Sequence, residues 1–353
     1  MSALATARTR RRPAGRGCAR APVWLGTLAI AQLLAIATMA QPARLKLAFY
    51  QDQDTAVYQY AIKPFVDSIN AEGTGLLAID VYPDGKLGAA LAEQPRLVLD
   101  GAADIAFVIP GQTPYRFPDN KLLELPGLFH DLREGTFAYT RLVGAGKLRG
   151  YENFFVIGAY TTSANTIHSR KPIASLEALK GQKIRANNQI EAAVLEGLGA
   201  TPTVLPVPQI AETIRKGGLD GAALAPTAIV DYHIAMLTPH HYLLQSGVNP
   251  LALVMNRKKF ESLPATAQAL IRKYSGEYAA KMWVDTYGRN EQDIFAAIKA
   301  DPRQQMVEPS AADAEIARGV FQSVIASWTA ESPRNSELLK DVQAELAKLR
   351  LSK

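Results

Sequence analysis

Cysteine is all but absent from this sequence. The single copy, Cys18, precedes the one long apolar run, so the chain beyond it carries no thiol. That excludes disulfides, thiol catalysis and cysteine metal sites there. It also suits an oxidising compartment, where unpaired thiols are a liability. Catalytic signatures are equally scarce: there is no G-x-S-x-G, no Walker loop and no H-E-x-x-H. Five histidines occur, and only His240 and His241 are neighbours. Adjacent side chains diverge on a helix or a strand, so that pair reads as a solvated turn after Pro239. No metal and no cofactor is expected.

An excess of one charge is also missing once the first residues are set aside. The formal net charge is +6, but Arg8, Arg10, Arg11, Arg12, Arg16 and Arg20 stand together with no acid among them. Without them the chain is formally neutral, so the high pI gives no argument for nucleic acid. The basic stretch is followed by an apolar run over 23–39 and then by small residues, with a cut expected after Ala40. This order predicts a signal peptide over 1–40 and a periplasmic protein. A retained anchor is the alternative, although the run is near the lower limit for a spanning helix. Arg10 to Arg12 raise a twin-arginine route, which Pro13 and the distance to the apolar run weaken.

What is present is an alternation of strand and helix signals. Residues 45–50 alternate like a strand, and Tyr58, Ala61, Ile62, Phe65, Val66 and Ile69 mark a helical face interrupted by Pro64. Strands at 77–82 and 105–109 follow, with a helix at 91–99 between them. The pattern recurs with strands at 183–186, 203–205 and 221–224 and helices at 190–198 and 210–216. Each unit ends its second helix with Gly-x-x-Asp, first at Gly101 and Asp104, then at Gly217 and Asp220. Glycine supplies the left-handed helix end and Asp secures the turn. The order implies helix-covered, mostly parallel sheets. Two such units predict two lobes, and ligands in such sheets bind beyond the carboxyl ends of strands. A strand is expected at 251–255 and helices from 263 onward. With no flexible linker in sight, the lobes should be joined by crossing strands acting as a hinge. The expected division is 41–162 with 251–290 for lobe I, and 163–250 with 291–353 for lobe II.

One residue stands out chemically. In Leu179-Lys180-Gly181-Gln182-Lys183-Ile184-Arg185 a glycine turn feeds a strand that ends on Arg185. A guanidinium there matches the two oxygens of a carboxylate. By spacing alone, an arginine in a surface ion pair is an equal reading.

The stretch 179–185 looks like the LKGxKIR motif of the solute-binding subunits of tripartite ATP-independent periplasmic (TRAP) transporters, the DctP family. Other pieces resemble that family in order along the chain. Tyr82-Pro83-Asp84-Gly85-Lys86-Leu87-Gly88 resembles YPxGxLG. Residues 101–107 (GAADIAF) resemble its G-x-x-D-hydrophobic-A-F strand, and 123–129 (LELPGLF) its ELPFLF segment, with Gly127 in place of Phe. Residues 199–202 (GATP), 219–221 (LDG), and 256–260 (NRKKF) with Leu263-Pro264 complete the set. The resemblance implies a two-lobe periplasmic-binding-protein fold that closes on a small organic acid and docks on TRAP membrane subunits, as monomer or dimer, without catalysis. It implies that Arg185 clamps the ligand carboxylate. By the same motifs, a position often held by a second arginine falls on Asn165, the early pocket position on Tyr50, and two usually polar positions on Ile109 and Leu224. These departures predict a smaller or more hydrophobic acid, a keto or aromatic acid, rather than a polyhydroxylated sugar acid. Asn187, Asn188 and Gln112 are near strand ends and could bond a hydroxyl or keto oxygen, although turn or helix-cap roles compete. Asp52, Gln53 and Asp54 read as a solvated helix start, and Tyr232 and Phe107 as core. An exported sensor and an exported small-molecule enzyme are the rival functions.

Overall fold

The computed structural model describes residues 42–351, so the expected signal segment and Cys18 lie outside the described residues. The first strands and helices are β1 (Ala43–Ala48), α1 (Lys63–Glu72), β2 (Leu77–Tyr82), α2 (Gln94–Leu99), β3 (Ile105–Val108), α3 (Leu132–Gly144) and β4 (Phe154–Thr161). Then come β5 (Thr166–Ser169), β6 (Lys183–Ala186), α4 (Gln189–Gly197), β7 (Thr201–Val204), α5 (Ile210–Arg215), β8 (Gly221–Leu224), α6 (Pro226–Asp231) and β9 (His240–Tyr242). The chain ends with β10 (Pro250–Asn256), α7 (Arg257–Ser262), α8 (Ala265–Lys273), α9 (Glu277–Ala300), β11 (Gln305–Val307), α10 (Ala311–Ala330) and α11 (Pro333–Leu351).

These strands form two sheets, in the orders β2-β1-β3-β10-β4 and β11-β9-β5-β8-β6-β7. Each sheet has one strand against the rest: β10 in the first, β5 in the second. Those two strands adjoin the places where the chain crosses between sheets, after β4 and before β10. The crossings pair with each other. Asn165 N–H donates to Gly247 O at 2.7 Å and Thr162 N–H to Asn249 O at 3.0 Å. The structure is thus α/β with two lobes.

The repeated Gly-x-x-Asp has one structural meaning in both lobes. Gly101 and Gly217 take positive φ, 76° and 75°. The carboxylates of Asp104 and Asp220 then accept from Lys46 N in β1 and Lys183 N in β6. Each Asp ties its turn to the neighbouring first strand. Pro64 leaves its mark as a wider helical turn over Tyr58–Ile62, where Lys63 N–H bonds Tyr58 O.

Trp283 and Tyr287 of α9 are buried with the first sheet's Leu45, Phe107 and Leu253, while Ile298 of the same helix is buried with Ala222 and Leu224 of the second. One helix therefore serves both cores. The C-terminal helix departs from the expected division. Leu338, Val342, Leu346 and Leu349 of α11 are buried with Leu123, Tyr139 and Leu142 of the first lobe, although 291–353 was expected wholly with the second. Apolar periodicity marks which face of a helix is buried, not which sheet buries it.

Candidate functional site

The turn in 179–185 is built as its residues demand. Leu179 is fully buried, Gly181 takes φ 70°, and its N–H donates to Gly199 O. This places Ile184 in the second lobe's core. Successive residues of a strand face opposite ways, so Arg185 leaves that core. Its side chain is fully buried and makes three hydrogen bonds: Nε to Leu205 O, one terminal nitrogen to Ala223 O, the other to Asn187 Oδ1 at 2.8 Å. A guanidinium has five N–H groups, so one on each terminal nitrogen is left to donate. Burial lowers its pKa to about 10, opposed by the fields of Glu191 and Tyr232. It remains a cation at neutral pH.

Beside it is a cavity of about 60 Å³ between the lobes. Tyr50 and Ile109 line it from the first lobe, and Asn187 and Leu224 from the second. Arg185 is not itself a lining residue; its partner Asn187 is. Asn165 is one bond further out. It donates to Glu191 Oε1 at 2.6 Å and accepts from Asn249, which lines the cavity. Gln112 donates to Asn187 at 3.3 Å and lines a neighbouring cavity. The structure therefore gathers all seven candidate residues at one place, four on the wall and three linked to it.

Glu191 organises that gathering, and sequence reasoning missed it. Asn188 caps α4 by accepting from Glu191 N, and Glu191 Oε2 reaches back to Asn187 N at 2.6 Å. This resembles a capping box with the carboxylate reaching the residue before the cap, and the Asn-x-x-Glu spacing after a strand was its readable signal. Burial pushes the Glu191 carboxyl up, with Arg185 pulling it down. Glu124 was missed too. It is buried, and desolvation with the field of Glu191 pushes it up to about 8.

Two readings need correction. Tyr232 lines the cavity from the second lobe, together with Tyr50 from the first. It is not simply core. His241 is not in a solvated turn: it lies in β9, buried, with its Nδ1 2.7 Å from Nδ1 of His168 on β5. The antiparallel register of β5 and β9 sets His168 opposite His241, which local sequence cannot show. Phe107 is buried in the core, and Asp52, Gln53 and Asp54 are exposed at the start of the first helix.

Two helix-covered sheets, paired crossing segments and a buried cation beside an inter-lobe cavity define a two-lobed solute-binding protein. The chain belongs to the bacterial extracellular solute-binding protein family 7, DctP, which matches residues 48–332. These are the solute receptors of TRAP transport and have no catalytic step. Among curated relatives, the 2,3-diketo-L-gulonate-binding periplasmic protein YiaO of Escherichia coli is 25% identical, covering 77% of this chain and 84% of its own length. The C4-dicarboxylate-binding periplasmic protein DctP of Rhodobacter capsulatus is 23% identical, covering 72% of this chain and 77% of its own. Among solved structures, a marine-metagenome TRAP solute-binding protein specific for aromatic acid ligands, holding 3-hydroxybenzoate, has a TM-score of 0.80. It is 25% identical, over 88% of this chain and 99% of that one. A Rhodoferax ferrireducens TRAP solute-binding protein with copurified benzoate has a TM-score of 0.79 at 24% identity, over 88% of this chain and 100% of that one.

Proposed function

We propose that this protein is a periplasmic receptor that captures a small, largely apolar carboxylate, of the aromatic or keto monocarboxylate class, and hands it to TRAP membrane subunits. The carrying observation is the buried Arg185 guanidinium, with two N–H groups left to donate, next to an inter-lobe cavity. Ile109 and Leu224 supply aliphatic surface on the walls and Tyr50 and Tyr232 aromatic surface, where usually polar positions of the family would suit a polyol. Relatives bind aromatic acids, mandelate and succinate, and also galacturonate, so the wall chemistry decides the class. Lobe I is drawn from 41–162 with 251–290 and is joined by α11, and lobe II from 163–250 with 291–332. Export would rest on the segment before residue 41.

A thermal-shift panel tests this. Benzoate, phenylacetate, mandelate and phenylpyruvate raise the melting temperature of the mature protein, whereas galacturonate and gluconate do not. A response to the sugar acids alone refutes the ligand class. Arg185→Ala weakens the best acid by about 30-fold or more, since removing one side of a buried charge pair costs roughly 2–5 kcal/mol. Unchanged affinity in that variant refutes the clamp.

A further inference from the structure

His168 on β5 and His241 on β9 are buried, 2% and 1% exposed, and neither lines the inter-lobe cavity. They stand in the same row of the second sheet as Arg185. The register sets His168 opposite His241 on one side and opposite Ala222 on the other, and it sets Ala222 opposite Arg185. Residues paired across strands point to one face of a sheet, so both imidazoles share the face of Arg185. His168 is two strand spacings, about 10 Å, from Arg185.

The contacts of the pair call for one hydrogen more than two neutral rings carry. His168 Nε2 is 3.1 Å from Leu224 O, which can only accept. His241 Nε2 is 2.8 Å from Gln304 Oε1, and the amide nitrogen of Gln304 is turned to Ala235 O. Between the rings Nδ1 faces Nδ1 at 2.7 Å, which needs a hydrogen between them. Three hydrogens complete this chain, and two neutral imidazoles supply two. Thr166 Oγ1, 3.1 Å from His168 Nε2, can donate to a bare nitrogen there. Leu224 O would then face a lone pair with no hydrogen between. One added proton fills every contact.

We propose that His168 and His241 form a proton-binding site that takes up a single shared proton, and that capture of an acid at Arg185 is linked to that uptake. The inference rests on the receptor reading above and adds a regulator to it. The link runs along β8, where His168 meets Leu224 O, Arg185 bonds Ala223 O, and Leu224 lines the inter-lobe cavity. A bound carboxylate offsets the charge of Arg185, so the pair holds its proton more readily. By reciprocity the protonated pair favours the carboxylate. Acids on the surrounding elements already have partners: Asp231 of α6 with Ala56 N, Glu291 of α9 with Ser163, Asp301 before β11 with Arg303, and Asp313 of α10 with Tyr242. Lys299 of α9 shares a cavity wall with Thr166. Burial lowers both histidines; the field of His241 lowers His168 further and that of His240 lowers His241, while the bonds to Leu224 O and Gln304 oppose the fall. Uptake therefore belongs below the ordinary histidine value of about 6.5.

Nitrogen NMR of the histidine rings in the full mature protein tests this between about pH 8 and about pH 4.5, across the ordinary histidine range. The expected result is one common midpoint for His168 and His241, one proton for the two rings, and a strongly deshielded proton shared by the Nδ1 atoms. Gln304→Glu, which sets a carboxylate against His241 Nε2, raises that midpoint by about one unit or more. Saturating benzoate raises it by about half a unit, so benzoate binds about threefold tighter to the protonated pair. His241→Gln removes this part of the pH dependence of benzoate binding and leaves the part due to Asp231. Rings that stay neutral throughout the range, or that take one proton each at separate midpoints, overturn the shared site. A midpoint that bound benzoate leaves unmoved overturns the link. If no acid of the panel binds, the receptor reading and the link fail together, while the ligand-free titration still decides the shared proton.

Discussion

At the scale of single residues, the site is a set of buried ionisable groups held in check by one another. Arg185 is lowered by burial and Glu191 raised by it, and each opposes the other's shift. Glu124 has less support, and its carboxyl sits at about 8 against an ordinary value near 4.5. A raised carboxyl contributes stability fully present below its unfolded pKa and lost as pH rises through the folded one. Wild-type stability should therefore fall between about pH 5 and 8 by as much as about 1.4 kcal/mol per pH unit from this group alone. Glu291, at about 7, adds a slope of the same sign. Chemical denaturation of wild type and Glu124→Gln at several pH values isolates the share of Glu124: the difference between them grows with pH. A constant difference would mean that Glu124 is ionised in the folded protein.

Among the elements, α6 bridges the two lobes. Its last residue, Asp231, accepts from Ala56 N at 3.2 and 3.3 Å, at the start of the first lobe's first helix. Thr227 on the same helix bonds the Tyr287 hydroxyl of α9. Asp231 thus caps a helix that belongs to the opposite lobe. Desolvation pushes its carboxyl up to about 6; the Ala56 N–H bond opposes the rise, Asp52 adds to it and His233 opposes it. Opening the lobes would return the group to water and to an ordinary value. Closure then takes up protons, and its advantage is lost as pH rises through about 6. Capture of an acid that stays ionised should tighten several-fold between pH 8 and pH 5, an effect discounted because Asp231 is partly exposed. Asp231→Asn keeps an acceptor for Ala56 and should flatten that profile. A profile as steep as that of the wild type would show that Asp231 does not report closure.

For the whole molecule, the two sheets are joined by paired crossing segments and by α9. The crossings form a short ladder, with Asn249 donating to Asn165 Oδ1 at 3.0 Å and Ser246 N to Asn165 O at 3.0 Å. Such a joint permits hinge motion while keeping each sheet's core intact. Saturating benzoate should reduce the radius of gyration by about 1 Å from the roughly 20 Å expected for a compact chain of this size. Small-angle scattering checks this, with Arg185→Ala showing no compaction. Compaction of the variant equal to that of the wild type would place the closing contacts elsewhere.

Much of this was legible along the chain. The strands at 183–186 and 221–224 are where local pattern put them, because glycines at Gly181, Gly101 and Gly217 take left-handed backbone that the turns require. The sequence by itself determined these elements, the two-lobe α/β plan and the position of Arg185 at a strand end. These depend on backbone geometry and on periodicities of a few residues. Only the tertiary structure decided that Glu191 ties Asn165 to Asn187, that Tyr232 lines the same cavity as Tyr50, that His168 faces His241, and that α11 covers the first lobe. A polar side chain reads as exposed until folding buries it. The partners that then satisfy it come from segments tens of residues away, where local pattern has no reach.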